Sequence, residues 1–171
     1  MVHIPYYRQQ KPYTCGPAVL RMALAAIGKK RSETYLARLA ETTAKHGTVN
    51  FGMLRCLRKL DVSYMTGYRI RYRDLMRYVR QGVVIVDWMP QLLFPDHPEF
   101  TASKTFSPDE DSHCTLVVAA SPRFVTLQDP VLGRRVRISR KEFVRAWRDP
   151  TSASNHWMLM ILPPHKHEED D

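Results

Sequence analysis

A loop becomes a helix within the stretch Tyr13-Thr14-Cys15-Gly16-Pro17-Ala18, and the residues after it supply the apolar side chains of that helix. Pro17 suits the first turn, because its missing N–H would have no partner there in any case. The apolar side chains recur at helical spacing and form one stripe: Ala18, Val19, Met22, Ala23 and Ala26. Gly28 is a natural C-terminal stop. The stretch therefore predicts a helix over residues 15–27 that begins at a cysteine.

More helices follow in the first half of the chain. The second is expected after Ser32, which can cap it, and the third near Asn50. Their inward side chains are predicted to be Leu36, Leu39 and Ala40 in the second helix and Phe51, Leu54 and Leu57 in the third. Helical spacing returns over residues 72–80, and Ser139 is expected to cap a last helix that runs through Trp147.

The second half of the chain is rich in predicted strands. These are expected over residues 62–68, 83–88, 113–120, 124–128, 135–138 and 156–162. Because helices come first and strands come later, the order predicts an α+β fold with an antiparallel sheet. Residues 89–112 contain four prolines and read as a long loop or lid. We expect one domain over residues 1–162, followed by a polar tail at 163–171.

The overall composition is that of a soluble globular protein, with 44% hydrophobic and 25% charged residues. No window approaches the roughly 18 apolar residues of a membrane span, and the first residues lack an export signal, so we expect a cytoplasmic location. The net charge of +9 is spread along the chain and lacks the interleaved aromatic pattern of a single-strand binder. A nucleic-acid partner is therefore not expected, although the charge alone leaves it open.

Three cysteines, Cys15, Cys56 and Cys114, are widely separated in the sequence. An odd count without Cys-x-x-Cys spacing favours neither disulfides nor a structural zinc site. Cys56 accompanies the predicted apolar stripe of the third helix and is expected to pack there. Strand alternation predicts that Cys114 points away from the face of its neighbour His113 and packs. With no phosphate-binding glycine loop and no metal-ligand spacing, we expect no cofactor and no metal.

Cys15 and His113 are the first two candidates for chemistry. A thiol at a helix N-terminus lies in the positive end of the helix dipole, which favours the thiolate and lowers the pKa. A histidine at the start of a strand can direct its ring into a cleft and act as general base and then general acid. Taken alone, each also has a structural explanation: Cys15 can be a thiol packed in the core, and His113 can be a histidine hydrogen-bonded at a sheet edge.

Asp129 and Gln9 extend this set. Asp129 ends the strand after that of His113, so two adjacent antiparallel strands can bring its carboxylate to the imidazole and fix the tautomer. Gln9 precedes Cys15 by six residues and could donate its amide to a developing oxyanion beside the Cys15 N–H. Gln10 is an adjacent alternative that the spacing does not exclude. Taken alone, Asp-Pro is also a common turn signal, and Gln9 can also be a surface residue. The prediction of an active site therefore depends on finding all four residues together in this order.

The segments around these residues resemble one known family. Residues 2–18 look like the opening of the double-glycine leader peptidases, the papain-like peptidase domains of bacteriocin exporters that also occur as stand-alone bacterial proteins. The stretch His113-Cys114-Thr115-Leu116-Val117-Val118, followed by Gln128-Asp129-Pro130, is similar to their histidine strand and Asp-Pro turn. Phe143 to Trp147 resembles the closing helix of stand-alone members. The resemblance extends over residues 2 to about 162.

This resemblance implies a papain-like fold and a cysteine peptidase, with Cys15 as nucleophile, His113 as base, Asp129 as orienting acid and Gln9 as oxyanion donor. A peptide or protein is the implied substrate. No transporter domain follows in this sequence, and whether a separate transporter or partner associates with it stays open. The same site also suits an acyltransferase, transpeptidase or amidase, since a fold does not fix the substrate. A non-catalytic peptide-binding module is a further alternative.

Overall fold

The computed structural model describes residues 3–101, 113–148 and 156–164. Its helices are α1 (Cys15–Ala26), α2 (Glu33–Leu39), α3 (Asn50–Lys59), α4 (Tyr72–Tyr78), α5 (Pro98–Thr101) and α6 (Arg140–Ala146), with a short 3₁₀ turn at Pro90–Leu92. Its strands are β1 (Tyr64–Gly67), β2 (Val83–Trp88), β3 (His113–Ala120), β4 (Phe124–Gln128), β5 (Arg135–Ser139) and β6 (Met158–Ile161). The predicted α+β class is confirmed.

All six strands form one antiparallel sheet in the order β1-β6-β2-β3-β4-β5. Side chains alternate between its faces, and each face builds a separate apolar cluster. On one face, α1, α2 and α3 pack against a set that includes Ile85, Leu116 and Leu159. On the other face, α4 and α6 pack against a set that includes Val84, Val86 and Met158. The sheet is therefore buried between two helical layers.

Helix α1 is buried over a wider surface than the predicted stripe. Leu20 and Leu24, outside that stripe, are fully buried. The reason is that α1 packs against the sheet and also against α2 and α3, so that more than one face meets apolar neighbours. The helix that presents Cys15 is thus held from several sides.

Several predicted boundaries and one predicted core residue need correction. The first strand, the fourth helix and the last strand are all shorter than predicted. Residues 89–101 contain the 3₁₀ turn and α5, so this part of the predicted loop is partly helical, whereas residues 102–112 lie outside the described residues. Phe51 is 54% exposed, because α3 buries the face of Met53, Cys56 and Leu57 instead. The guanidinium groups of Arg55 and Arg58 cover the Phe51 ring.

The helix caps agree with the sequence. The Ser32 side chain accepts a hydrogen bond from the Tyr35 N–H, as predicted. Ser139 forms a full capping box with Glu142, since each side chain bonds the backbone of the other. The polar tail predicted at 163–171 lies outside the described residues from position 165 onward.

Replacing Gly52 with alanine is expected to destabilise the fold by roughly 1–3 kcal/mol, the usual effect of overpacking. A Cβ at Gly52 would overlap the carbonyl oxygen of Ala40, where α3 meets the end of α2, and backbone cannot yield cheaply. Urea denaturation measures the change. Gly67→Ala is the control, because its new Cβ would meet only the flexible end of Ile70 at 3.2 Å. Equal midpoints for the two variants would contradict the expectation.

Candidate active site

Three side chains that the sequence predicts to work together meet at one end of the sheet. Cys15 is the first residue of α1, His113 is the first residue of β3, and Asp129 directly follows β4. Strands β3 and β4 are hydrogen-bonded neighbours, so their facing ends bring the last two together. His113 Nε2 lies 2.9 Å from Asp129 Oδ1, and the His113 ring is near enough to the Cys15 thiol for each to shift the pKa of the other. All three residues are buried.

The Asp129 carboxylate is fixed by three donors. Its Oδ1 accepts from His113 Nε2 and from the backbone N–H of Val131 at 2.9 Å, and its Oδ2 accepts from Trp88 Nε1 at 3.3 Å. Asp129 is fully buried. Because the carboxylate accepts from Nε2, that nitrogen carries the proton and Nδ1 is the ring nitrogen left to face the thiol. The surroundings of Asp129 thus set both the tautomer and the orientation of the ring.

Electrostatic contacts favour a charged pair of thiolate and imidazolium. The hydrogen bond with Cys114 acts most strongly to hold the pKa of Cys15 well below its usual value; burial opposes this, and the hydrogen bond and charge of His113 add to it. For His113, burial acts to lower the pKa, but the charge and hydrogen bond of Asp129, followed by those of Cys15, outweigh it and raise the pKa to about 10. A group at a helix N-terminus gains further from the helix dipole when it is negative.

Gln9 lies beside the site, but its side-chain amide is occupied. Its backbone N–H donates to Pro130 O at 3.0 Å, which ties this segment to the turn after Asp129. Its Nε2 donates to the carbonyl oxygens of Lys11 at 2.9 Å and Pro12 at 3.1 Å. Its Oε1 is buried without a hydrogen-bond partner among the described residues. The structure therefore does not bring the Gln9 amide hydrogens to the sulfur.

Gln10, the adjacent alternative, is anchored to α2 through its backbone. Its backbone N–H donates to Glu33 Oε1 at 2.8 Å, which anchors the loop before Cys15 to the start of α2. Gln10 also lines a cavity between this loop and α2, together with Thr14, Glu33 and Arg38.

Aromatic residues of the segment after β2 cover the imidazole. The ring of Phe100, in α5, packs edge-on against the His113 ring at 5.4 Å between centroids, and His97 packs on Phe100 at 4.7 Å. An ion pair between Arg8 and Glu99 joins α5 to the N-terminal segment. Cys15 and His113 are only 7% and 8% exposed. Part of the segment predicted as a lid thus lies directly on the site.

The sequence analysis missed a second group of residues at the sulfur. Asp87, on β2, is 1% exposed and accepts hydrogen bonds from Cys114 Sγ at 3.2 Å and from Asn50 Nδ2 at 2.8 Å. Cys114 is buried in the cluster on the α1 face, as predicted for a packing residue, but it also contacts Cys15, which was not predicted. One signal was available: Asp87 is the single charged residue in the apolar run Val83–Trp88.

His156 and Cys56 have structural surroundings. His156 stacks on Trp147 at 4.6 Å between ring centroids, and burial raises the pKa of the Cys56 thiol to about 11. Within residues 3–101, 113–148 and 156–164, no three His, Cys, Asp or Glu side chains come together as a metal site. None of the helices in these ranges is long and apolar enough to cross a membrane.

A helix that presents a buried thiol to a histidine and an aspartate from a neighbouring antiparallel sheet defines the papain-like cysteine peptidase fold. Over residues 1–155 the chain matches the model of the Peptidase_C39 like family, and it belongs to that family. The resemblance to double-glycine leader peptidases and the papain-like fold are both confirmed.

Two solved structures and one curated protein illustrate the likeness. The peptidase domain of Streptococcus ComA, a bi-functional ABC transporter, has a TM-score of 0.69 at 19% identity, over 94% of this chain and 99% of that one. A double glycine motif protease from an AMS/PCAT transporter, solved with its leader peptide, has a TM-score of 0.67 at 19% identity, over 95% and 93%. An uncharacterised protein of Methanothermobacter marburgensis is 31% identical over 140 residues, 80% of this chain and 78% of its own length.

Proposed function

We propose that this chain hydrolyses peptide bonds as a cysteine peptidase. The observation that carries the proposal is the buried contact between a thiol at the start of α1 and an imidazole oriented by Asp129. A nucleophile within reach of a base, which a third group in turn orients, is the arrangement that covalent catalysis requires. In this proposal Cys15 is the nucleophile, His113 the general base and acid, and Asp129 the orienting carboxylate.

The reaction follows from the geometry in two stages. The Cys15 thiolate attacks the carbonyl carbon of the scissile peptide bond and forms a tetrahedral oxyanion. His113 then gives its proton to the departing amine, and a thioester remains on Cys15. Water, deprotonated by His113, attacks the thioester and releases the acid. Asp129 keeps its charge throughout and holds the ring with Nδ1 toward the sulfur.

Gln9 is proposed as an oxyanion donor together with the backbone N–H of Cys15. To act in this way its amide must release the carbonyl oxygen of Lys11 or Pro12, to which Nε2 now donates. The buried Oε1 gives a physical reason for such a change, because an unpaired buried acceptor costs about 1–3 kcal/mol. We therefore assign the rotation of this amide to substrate binding.

The proposed substrate is a peptide or a peptide segment of a protein. The structural relatives named above are peptidase domains of transporters, and one of them was solved with a leader peptide. By analogy, the site of this chain, which α5 partly covers, receives an extended segment of the substrate. That segment displaces the Phe100 ring or passes beneath it. A cytoplasmic location stays a prediction from the sequence.

A peptide-library cleavage screen tests the proposal. The untreated protein and a sample alkylated at Cys15 with iodoacetamide are incubated with the same library, and new termini are identified by mass spectrometry. We expect cleavage only by the untreated protein. Products capped by an added amine, in place of free acids, would indicate acyl transfer. Peptides that are bound but unchanged would indicate a non-catalytic binding module and overturn the proposal.

A further inference from the structure

The Cys15 sulfur has a second neighbour that the proposed reaction does not use. The Cys114 thiol interacts with Cys15 closely enough for each to shift the pKa of the other, and its Sγ donates to Asp87 Oδ1 at 3.2 Å. Asp87 is held in turn by Asn50, the first residue of α3, at 2.8 Å. Cys114 and Asp87 are 4% and 1% exposed. A chain of polar groups, half-buried at Asn50 and buried at Asp87 and Cys114, therefore runs from the helical layer, through β2 and β3, to the sulfur.

The register of the sheet explains why this chain of groups reaches the site. In the pairing of β2 with β3, Trp88 is opposite His113 and Asp87 is opposite Cys114. Side chains directly opposite each other in an antiparallel pair lie on the same face and touch. Trp88 holds Asp129, which orients the imidazole, and Asp87 holds Cys114, which contacts the thiol. Two successive residues of β2 thus support the two reacting groups.

We propose that Cys114, held by Asp87 and Asn50, is a positioning residue that donates its S–H to the Cys15 thiolate and fixes that sulfur for attack. The inference deepens the proposed function and rests on it. Cys114 has the proton to give: the hydrogen bond to Cys15, burial and the charge of Asp87 all raise the pKa of its thiol well above the usual value. Cys114 therefore stays protonated while Cys15 is ionised.

The single proton on Cys114 has two possible acceptors, the Asp87 carboxylate and the Cys15 thiolate. When Cys15 is neutral, the S–H points to Asp87 Oδ1. When Cys15 is ionised, the S–H turns to the thiolate, and Asp87 keeps its hydrogen bond from Asn50. No bond to hydrogen is broken in this change. Removing the Cys114 S–H should therefore raise the pKa of Cys15 and disfavour its thiolate. Removing the Asp87 carboxylate, which competes for the same proton, should not raise that pKa.

The test is the rate at which iodoacetamide alkylates Cys15 as a function of pH, with the modified residue located by mass spectrometry. The Cys15 thiolate forms an S–C bond and iodide leaves, so the rate follows the thiolate fraction. We expect Cys114→Ala to raise the pH midpoint by about one unit, which lowers the rate about tenfold at pH values below both midpoints. Cys114→Ser keeps a donor and should shift the midpoint less. Asp87→Asn should leave the midpoint unchanged or lower it.

Cys56→Ala is the matched control, because Cys56 is a fully buried thiol of the same cluster whose pKa responds to burial and to Lys59, not to a residue of the site. It should change stability without moving the Cys15 midpoint. A wild-type profile in Cys114→Ala, or in Cys114→Val should the alanine variant fail to fold, overturns the inference, because both variants remove the donor. The inference is also overturned if Asp87→Asn raises the pH midpoint of Cys15 alkylation as much as Cys114→Ala does. If Cys15 of the wild-type protein is alkylated with a pH midpoint in the ordinary thiol range, the proposed peptidase mechanism is overturned as well. A low wild-type midpoint that Cys114→Ala leaves unchanged overturns only the role of Cys114.

Discussion

Peptide hydrolysis is expected to disappear in Cys15→Ala and to fall by about 10³-fold or more in His113→Ala. The first change removes the sulfur that forms the thioester. The second removes the group that protonates the departing amine, together with the hydrogen bond and positive charge that help to hold the pKa of Cys15 low. Because the two residues act as one unit, the double variant should lose no more than the worse single variant. Initial rates on a peptide found in the library screen measure all three.

The alkylation profile provides an independent readout for these variants. In His113→Ala, Cys15 should react with iodoacetamide more slowly at pH 5–6 than in the wild type, because less thiolate is present there. Melting curves exclude a general loss of structure as the cause. Additive losses in the double variant, or an active Cys15→Ala, would show that the two residues do not share one reaction.

Asp129→Ala is expected to lower both activity and the free energy of unfolding, the latter by roughly 3–5 kcal/mol, the usual effect of removing one partner of a buried pair. Three donors lose their acceptor at once: His113 Nε2, Trp88 Nε1 and the Val131 N–H. The ring also loses its orientation. Urea denaturation at several pH values measures the stability change, and the matched control is Asp129→Asn, which keeps one carbonyl oxygen and should be less destabilised.

The pH dependence of this stability change has a definite sign. The pKa of His113 in the folded protein, about 10, lies above its ordinary value of 6.5. Stabilisation by the imidazolium is therefore fully present below about pH 6.5 and is lost as the pH rises through 10. The gap in unfolding free energy between wild type and Asp129→Ala should narrow from pH 7 to pH 10. A constant gap would mean that the lost hydrogen bonds, and not the charge, account for the effect.

Local sequence signals predicted most elements because their causes are local. The start of α1 follows from Pro17, the capping of α6 from Ser139, and the β3–β4 hairpin from two apolar runs around a proline turn. The order of strands was beyond this reasoning, since β6 pairs with β1 and β2 across more than 70 residues. Phe51 was assigned to the core because it is apolar, but the direction in which a helix faces depends on its neighbours.

The candidate site was predictable to the same extent. His113 and Asp129 stand at the ends of two adjacent strands, so their meeting could be inferred from strand adjacency, whereas the place of Cys15 beside them was implied by the family resemblance. The contact of Cys114 with Asp87 depends on the β2–β3 register, and the occupied amide of Gln9 depends on the loop conformation at Lys11 and Pro12. Local spacing in the sequence determines neither the strand register nor the loop conformation. The sequence therefore identified Gln9 and Cys114 but could not predict which groups they contact.

The position of β6 between β1 and β2 has a consequence for how the protein is produced and handled. Residues 1–161 must have left the ribosome before β1 and β2 can be joined, so the sheet cannot be completed progressively as the chain emerges. A recombinant version cut before Met158 would leave two open strand edges flanking an empty position, and such edges recruit strands from other molecules. Truncations intended to aid crystallisation should therefore be made beyond Leu162, whose N–H still bonds Ser63 O.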